Sequence, residues 1–285
     1  MINKKQFTIG IDIGGTKISG VLFDGKNVLA DYVLGTPKDD FNHFMIMLGA
    51  VIEPLLAAAK KNKKKVAGIG LGIAGVMDKQ AGKVRKSPNI SFLDNKYIRA
   101  EVEKKFSLPV KIENDAACFV RAEAIIGAGG EYKSVYGITI GTGIGGAWWT
   151  ERKIFEGAHG TAGEPGHIIV DFKEKIDLEG VYHRLMGRNP EEMAARAYAG
   201  DKRAEMAFLE FGGYLGMAFA NIINIIDPEI FVIGGGVVES SELFLGEVKK
   251  SMLAHAFSPE AGRVKVVKAK LGEKAGAIGA ALLFS

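Results

Sequence analysis

The chain has 285 residues, enough for one large or two medium domains, and its 47% apolar share supports substantial cores. Its 37 basic residues barely outnumber the 33 acidic ones, and the surplus is scattered, which excludes the basic footprint of a nucleic-acid binder. A single cysteine, Cys118, excludes an internal disulfide and fits a reducing compartment, so the expected location is cytoplasmic.

Lys4 and Lys5 precede an apolar run, but Asp12 interrupts it and glycines follow, so the stretch does not read as a signal peptide. No apolar stretch reads as long enough to span a bilayer, and no membrane partner is expected. From Phe7 to Gly35 the text reads as three strands, FTIGIDIG, KISGVLFD and VLADYVLG, with a turn at Asp24 and Gly25. Phe41, Phe44, Met45, Leu48, Val51, Ile52, Leu55 and Leu56 then recur at helical spacing, with Pro54 predicted to kink the helix. The lysine-rich run from Lys60 to Lys65 reads as the solvated C-terminus of that helix.

A buried strand is predicted over Val66 to Ala74, followed by a loop holding Ser87, Pro88 and Asn89. Asp94 is placed to cap a helix reaching Phe106, Pro109 to Glu113 returns as a short strand, and Asp115 opens a helix through Ile126. The second half repeats the order. Three strands are predicted between Val135 and Asp171, then a long apolar helix from about Lys202 to Ile226. Strand and helix alternate thereafter: a strand at Ile230, a helix from Ser240 to His255, a strand at Val264 and a helix from Lys274. Such repetition points to duplication of one α/β unit, with a ligand cleft between two related lobes. The expected boundaries are 1–115 and 116–271, with a helix over about 272–285 as a candidate to pack on the first lobe.

Two stretches satisfy GxGxxG: Gly70, Gly72 and Gly75, and Gly141, Gly143 and Gly146. Neither is followed by a convincing helix, as a dinucleotide site requires, and no GxxxxGK[ST] is present. The glycines of DIGGTK (Asp12 to Lys17) and GTGIGG (Gly141 to Gly146) are more informative. Each ends a strand and adds a threonine hydroxyl, and the first adds Asp12 and Lys17, which are phosphate and metal ligand types. A third run, Gly234 to Gly236, lies between strand and helix, where either close packing or a planar ligand accounts for it.

Together DIGGTK, ENDAAC at Glu113 to Cys118, GTGIGG, GTAGEPGH at Gly160 to His167 and IDPEIFVIGGG at Ile226 to Gly236 resemble the ROK family of sugar kinases. The resemblance covers nearly the whole chain. It implies an α/β, duplicated ribonuclease H-like (actin-like ATPase) fold of two lobes with an interlobe cleft, and an ATP- and Mg2+-dependent hexokinase. The family's repressor branch carries a helix-turn-helix ahead of the DIGGT-like strand, for which the text before Phe7 leaves no room. The cysteine-rich segment that binds zinc in relatives reads IIVDFKEKIDLEG here, so a thiolate zinc site cannot be built and no zinc is expected.

As a residue alone, Asp115 reads as a helix N-cap; the resemblance makes it the general base against the reacting sugar hydroxyl. A helix N-terminus would favour its ionised form. By resemblance Asn89, Asn114, Glu164 and His167 contact the sugar, as does Glu179, which falls where the zinc motif's terminal Glu would stand. By resemblance too, Gly14, Gly15, Thr16, Lys17, Thr142 and Gly143 hold the phosphates, Gly235 and Gly236 pack against adenosine, and Asp12 holds Mg2+ through water. Trp148 and Trp149 point to opposite faces of one strand, leaving one of them for an interface. The expected acceptor is the primary hydroxyl of an aldohexose, glucose first. Kinases for N-acetylmannosamine, fructose, mannose or allose, and a non-catalytic sugar sensor, are the rivals, and a homodimer is expected from the family.

Overall fold

The computed structural model describes residues 6–187 and 189–285, so Lys4 and Lys5 lie outside the described residues. They form two compact units. The first comprises the described residues through Ile126 with Glu156–Ala162 and Glu273–Ser285; the second comprises Gly127–Phe155 and Gly163–Gly272.

In chain order the first unit runs β1 (Gln6–Ile13), β2 (Lys17–Phe23), β3 (Val28–Gly35), α1 (Phe41–Lys61), β4 (Lys65–Ile73) and a hairpin, β5 (Val76–Asp78) with β6 (Lys83–Lys86). It continues with α2 (Ile98–Phe106), β7 (Val110–Asn114) and α3 (Asp115–Ile126). Its sheet has the order β3-β2-β1-β4-β7, in which β1, β2 and β3 pair antiparallel and β1, β4 and β7 run parallel.

The second unit repeats this plan with β8 (Val135–Ile140), β9 (Ile144–Thr150) and β10 (Lys153–Ile154), then the hairpin β11 (Ile169–Asp171) and β12 (Ile176–Asp177). Helices α4 (Leu178–Met186), α5 (Pro190–Tyr198) and α6 (Lys202–Ile226) follow, then β13 (Ile230–Gly234), α7 (Leu245–His255) and β14 (Lys265–Lys268). The order β10-β9-β8-β13-β14 has the same pairing senses as the first sheet, so the duplication is visible strand by strand. The chain ends with α8 (Ala275–Ala281), which belongs to the first unit.

Period-two patterning explains the first sheet. Ile9, Ile11 and Ile13 of β1 and Ile69, Leu71 and Ile73 of β4 have no exposed surface and pack with Phe44, Leu48, Ile52 and Leu55 of α1. Each such side chain contributes about 1.5–3 kcal/mol by leaving water. The alternate positions on the other face include Gly10 of β1 and Gly68, Gly70 and Gly72 of β4. A Cβ on Gly10 or Gly70 would run into the backbone of α8 at Ala277 or Ala280, and one on Gly72 would meet the Cys118 sulfur at 3.1 Å. The GxGxxG spacing at 70–75 thus has three separate packing causes: α8 seated on Gly70, Cys118 of α3 against Gly72, and a positive φ of +130° at Gly75 beside the Lys86 carbonyl. Residues 275–281 are all buried, and all but Ile278 are alanine or glycine, which permits that approach of α8.

Several local expectations are corrected. Asp94 does not cap a helix: α2 begins at Ile98, and Asp94 instead accepts from the Ser87 N–H at 2.7 Å and pairs with Lys86 at 2.8 Å. A nearby unpaired donor and a cation outcompete the helix end. In the second half the third sheet strand is only β10, and Ile169–Asp171 pairs outside the sheet with β12. The helix predicted over 240–255 is a 3-10 segment, Gly236–Leu243, followed by α7. Helix α1 continues through Pro54.

Two helices, Phe41–Lys61 and Lys202–Ile226, are in fact long and apolar enough to cross a membrane by length and composition. Each buries one face in its own unit's core, Phe44, Leu48 and Leu55 in the first and Phe208, Leu215 and Phe219 in the second. Phe219 stacks on Phe231 of β13 at 4.2 Å. Trp149 is buried, and half-buried Trp148 packs against Phe155 at 5.2 Å while donating Nε1–H to Ser134 Oγ at 2.9 Å.

The helix-on-glycine contact has a measurable consequence. Gly279 faces the Cys118 carbonyl closely enough that a methyl group would overlap it, and backbone cannot move aside as a side chain can. Gly279→Ala should therefore destabilise the protein by about 1–3 kcal/mol, read as a lower urea midpoint.

Candidate active site

In the first unit the parallel strands β1, β4 and β7 end level with one another: Asp12 pairs in register with Gly72, and Gly72 with Glu113. Open α/β sheets bind ligands at this carboxyl end of the strands. Asp12 and Asp115, both half-buried, are electrostatic neighbours there. Burial is the main force pushing the Asp12 carboxyl up to about 7, the Asp115 charge adds to it, and Lys17 opposes it. Gly276 of α8 makes room for this group, since a Cβ there would lie 2.5 Å from Asp12 Oδ2. Burial likewise raises Asp115 above the usual carboxylate range, against hydrogen bonds from backbone N–H groups at Ala116 and Asp115.

The helix-capping role open to Asp115 belongs to its neighbour. Asn114 Oδ1 accepts the Ala117 N–H at 2.9 Å, and Asn114 Nδ2 donates to the Gly75 carbonyl at 3.1 Å. Asp115 is thereby relieved of capping, and much of the Asn114 amide is committed to the fold. Glu113 beneath them is buried and neutralised by Lys79 at 2.5 Å and Arg121 at 3.6 Å, while accepting the Asn114 N–H at 3.0 Å. Sequence reading gave Glu113 and Lys79 no part in the site. Their 34-residue separation hides the pairing.

The β1–β2 turn carries Gly14, Gly15 and Thr16. Its carbonyls are claimed from the loop after β3: Thr36 Oγ1 donates to Gly14 O at 2.7 Å, Thr36 N–H to Thr16 O at 2.9 Å, and Lys38 Nζ to Gly15 O. No described residue accepts from the N–H groups of Gly15 or Thr16. Thr36 and Lys38 also escaped sequence reading. Asn89 packs against the same turn, its Cβ lying 2.8 Å from where a Gly15 side chain would begin. Lys17, at the start of β2, forms an exposed ion pair with Glu273 at 2.8 Å.

The second unit has the matching turn between β8 and β9. Gly141 N–H donates to Gly143 O at 3.0 Å, and no described residue accepts from the N–H groups of Thr142 or Gly143. Gly141, Thr142, Gly236 and Val237 line a pocket of about 600 Å³ with Tyr182 and Phe208. The glycine run after β13 divides by cause. Gly235 adopts φ +90° with Ile140 backbone packed against it, so the fold requires glycine there. Gly236 meets nothing within 4 Å and faces the pocket.

Glu164, His167 and Glu179 cluster electrostatically in this unit. His167 is exposed, and its Nδ1 lies 3.1 Å from Asp177 Oδ2. Asp177 also caps α4, accepting the Gly180 N–H at 2.8 Å. Glu179 turns toward the β8–β9 turn, where its Oε2 accepts the Ile144 N–H at 2.5 Å. Among the described residues no group of three or more His, Cys, Asp or Glu side chains is arranged to hold a metal ion.

Asp177 sets a titration. Its hydrogen bond to His167, aided by Glu179 and Glu164, raises the imidazole above its ordinary 6.5, while burial opposes it. The attraction is complete below the ordinary value and is lost as pH rises through the raised one. In Asp177→Asn the His167 midpoint should fall toward 6.5, as read by imidazole NMR.

The model of the ROK family matches residues 8–180 and 180–285. The chain is 33% identical to an N-acetyl-D-glucosamine kinase of Vibrio cholerae over 96% of this chain and 98% of that protein. It is 28% identical to the xylose repressor of Caldicellulosiruptor bescii over 95% of this chain and 76% of the repressor. A crystal structure of a ROK family glucokinase from Streptomyces griseus in complex with glucose and AMPPNP superposes with a TM-score of 0.81. The two are 29% identical, over 97% of this chain and 98% of that one. Two sheets of the same order, two glycine turns with unspent N–H donors and these matches agree: the chain belongs to the ROK family.

Proposed function

We propose that the protein is an ATP-dependent sugar kinase acting on the primary hydroxyl of an aldohexose, glucose first. The observation that carries this reading is Asp115: a carboxylate freed from capping, kept above its ordinary pKa, beside a second carboxylate at the strand ends. A structural cap needs none of these properties. A general base profits from all three.

In this reading the acceptor hydroxyl gives its proton to Asp115 as its oxygen bonds to the γ-phosphorus of ATP. The bond from that phosphorus to the β–γ bridging oxygen breaks, and ADP leaves. The N–H groups of Gly15 and Thr16, and those of Thr142 and Gly143, serve as phosphate donors in their respective units. The pocket bounded by Gly236 and Val237 is of a size suited to adenosine. Asn89 and Asn114 in the first unit, and Glu164, His167 and Glu179 in the second, serve sugar hydroxyls.

Asp12 fits Mg2+. A carboxyl that burial and a neighbouring carboxylate hold near neutral is relieved by a divalent cation, and Mg2+ needs only one or two protein carboxylates when phosphates supply the rest. When bound, the cation would supply charge neutralisation for the phosphates. A cytoplasmic location and a homodimer complete the proposal; light scattering tests the second.

Similarity to a repressor favours a second reading, a sugar sensor without turnover. Retention of Asp12, Thr16, Asp115 and Thr142 supports the kinase. A coupled ADP-release screen over hexoses and N-acetylhexosamines decides between them: turnover with a hexose is expected, and sugar binding with no ADP release sinks the kinase reading. Asp115→Ala should lower kcat by about 10²- to 10⁴-fold with an unchanged thermal midpoint. Because the base must be ionised, kcat should fall as pH drops through the raised Asp115 value. Gly141→Ala, whose methyl meets no protein atom within 4 Å, should fold normally yet raise the KM for ATP about 10-fold.

A further inference from the structure

Helix α4 meets the β8–β9 turn with two polar side chains. Glu179 and Tyr182 are three residues apart and so share one helix face. Tyr182 Oη donates to the Gly141 carbonyl at 2.7 Å, and Glu179 Oε2 accepts the Ile144 N–H at 2.5 Å. The two bonds bracket Thr142 and Gly143, whose own N–H groups remain unspent among the described residues. One grips the turn's entry and the other its exit.

The Tyr182 ring has no exposed surface and packs on Phe211 at 5.2 Å, so phenylalanine would satisfy the packing. Its hydroxyl is accommodated in the core by the Gly141 carbonyl, and a buried hydroxyl without such a partner is costly. Glu179 lies in the first turn of α4. It touches the turn closely: a Cβ on Gly143 would lie 2.5 Å from Glu179 Oε2.

We propose that Tyr182 and Glu179 are positioning residues that hold the Gly141–Ile144 turn with its Thr142 and Gly143 N–H groups aimed at the nucleotide phosphates. The proposal rests on the kinase reading above and adds to it. Nucleotide affinity is set in part by side chains that hold the backbone of the turn, through the Gly141 carbonyl and the Ile144 N–H. Tyr182 connects the pocket wall to the phosphate turn, because it both lines the pocket and holds its floor.

Tyr182→Phe tests this in the full-length protein. Loss of one charge-neutral hydrogen bond and an orphaned carbonyl should raise the KM for ATP about 10-fold. The KM for sugar should stay unchanged, and the thermal midpoint should fall by only about 2–4 °C. Without any ligand, hydrogen exchange at the amides of Thr142, Gly143 and Ile144 should accelerate in the variant, while β13 and α6 keep their protection. Unchanged ATP KM with unchanged exchange overturns the proposal. So does a larger fall in the thermal midpoint with both KM values shifted together, which marks Tyr182 as a core residue only. If the parent protein releases no ADP with any sugar, the kinase reading fails by itself, and an unchanged exchange rate in the variant then refutes the bracing as well.

Discussion

Two neighbouring carboxylates that resist ionisation govern the first unit. Asp12 and Asp115 sit at the ends of parallel strands, where burial and mutual repulsion push the first up to about 7 and burial raises the second. Keeping such a pair costs folding free energy, and strain of this kind concentrates at functional sites. Much of the surrounding architecture maintains it. Glycines on one face of β1 and β4 let α8 lie on strand backbone, and Gly276 of that helix leaves space for the Asp12 carboxyl. Asn114 caps α3 so that Asp115 does not have to.

The second unit repeats the strand order of the first. Its β8–β9 turn occupies the place of the β1–β2 turn, and both leave two consecutive N–H groups without protein acceptors among the described residues. The means of support differ. Thr36 and Lys38 hold the first turn by its carbonyls, whereas Tyr182 and Glu179 hold the second by a carbonyl and an N–H. Duplication therefore preserved the strand order and the donor geometry while the supporting side chains diverged. Kinases and repressors both appear among the relatives, so the fold alone does not assign the chemistry and named residues must.

The elements with strong periodicity were legible in the sequence. The Asp115 helix and the apolar helix from Lys202 to Ile226 lie where spacing placed them. Less legible was anything decided by a distant partner. The glycines at 70–75 imitate a nucleotide fingerprint because each answers to a different partner outside the motif, α8 for Gly70, Cys118 for Gly72 and the Lys86 carbonyl for Gly75. Asp94 looks like a cap because the text does not show that the Ser87 N–H needs an acceptor. Lys79 opposite Glu113 gives no local signal at all. Motif glycines were readable as a group, but only coordinates separate Gly235, demanded by backbone geometry, from Gly236, which faces open pocket.

The central claim is transfer of a phosphoryl group to a sugar alcohol with Asp115 receiving the proton. Phosphorus NMR of the protein with ATP, Mg2+ and glucose observes that transfer without a coupling enzyme. The account predicts growth of a sugar 6-phosphate resonance in step with ADP. Inorganic phosphate appearing in place of the sugar ester, or a static ATP spectrum across the hexoses while sugar binds, would contradict it.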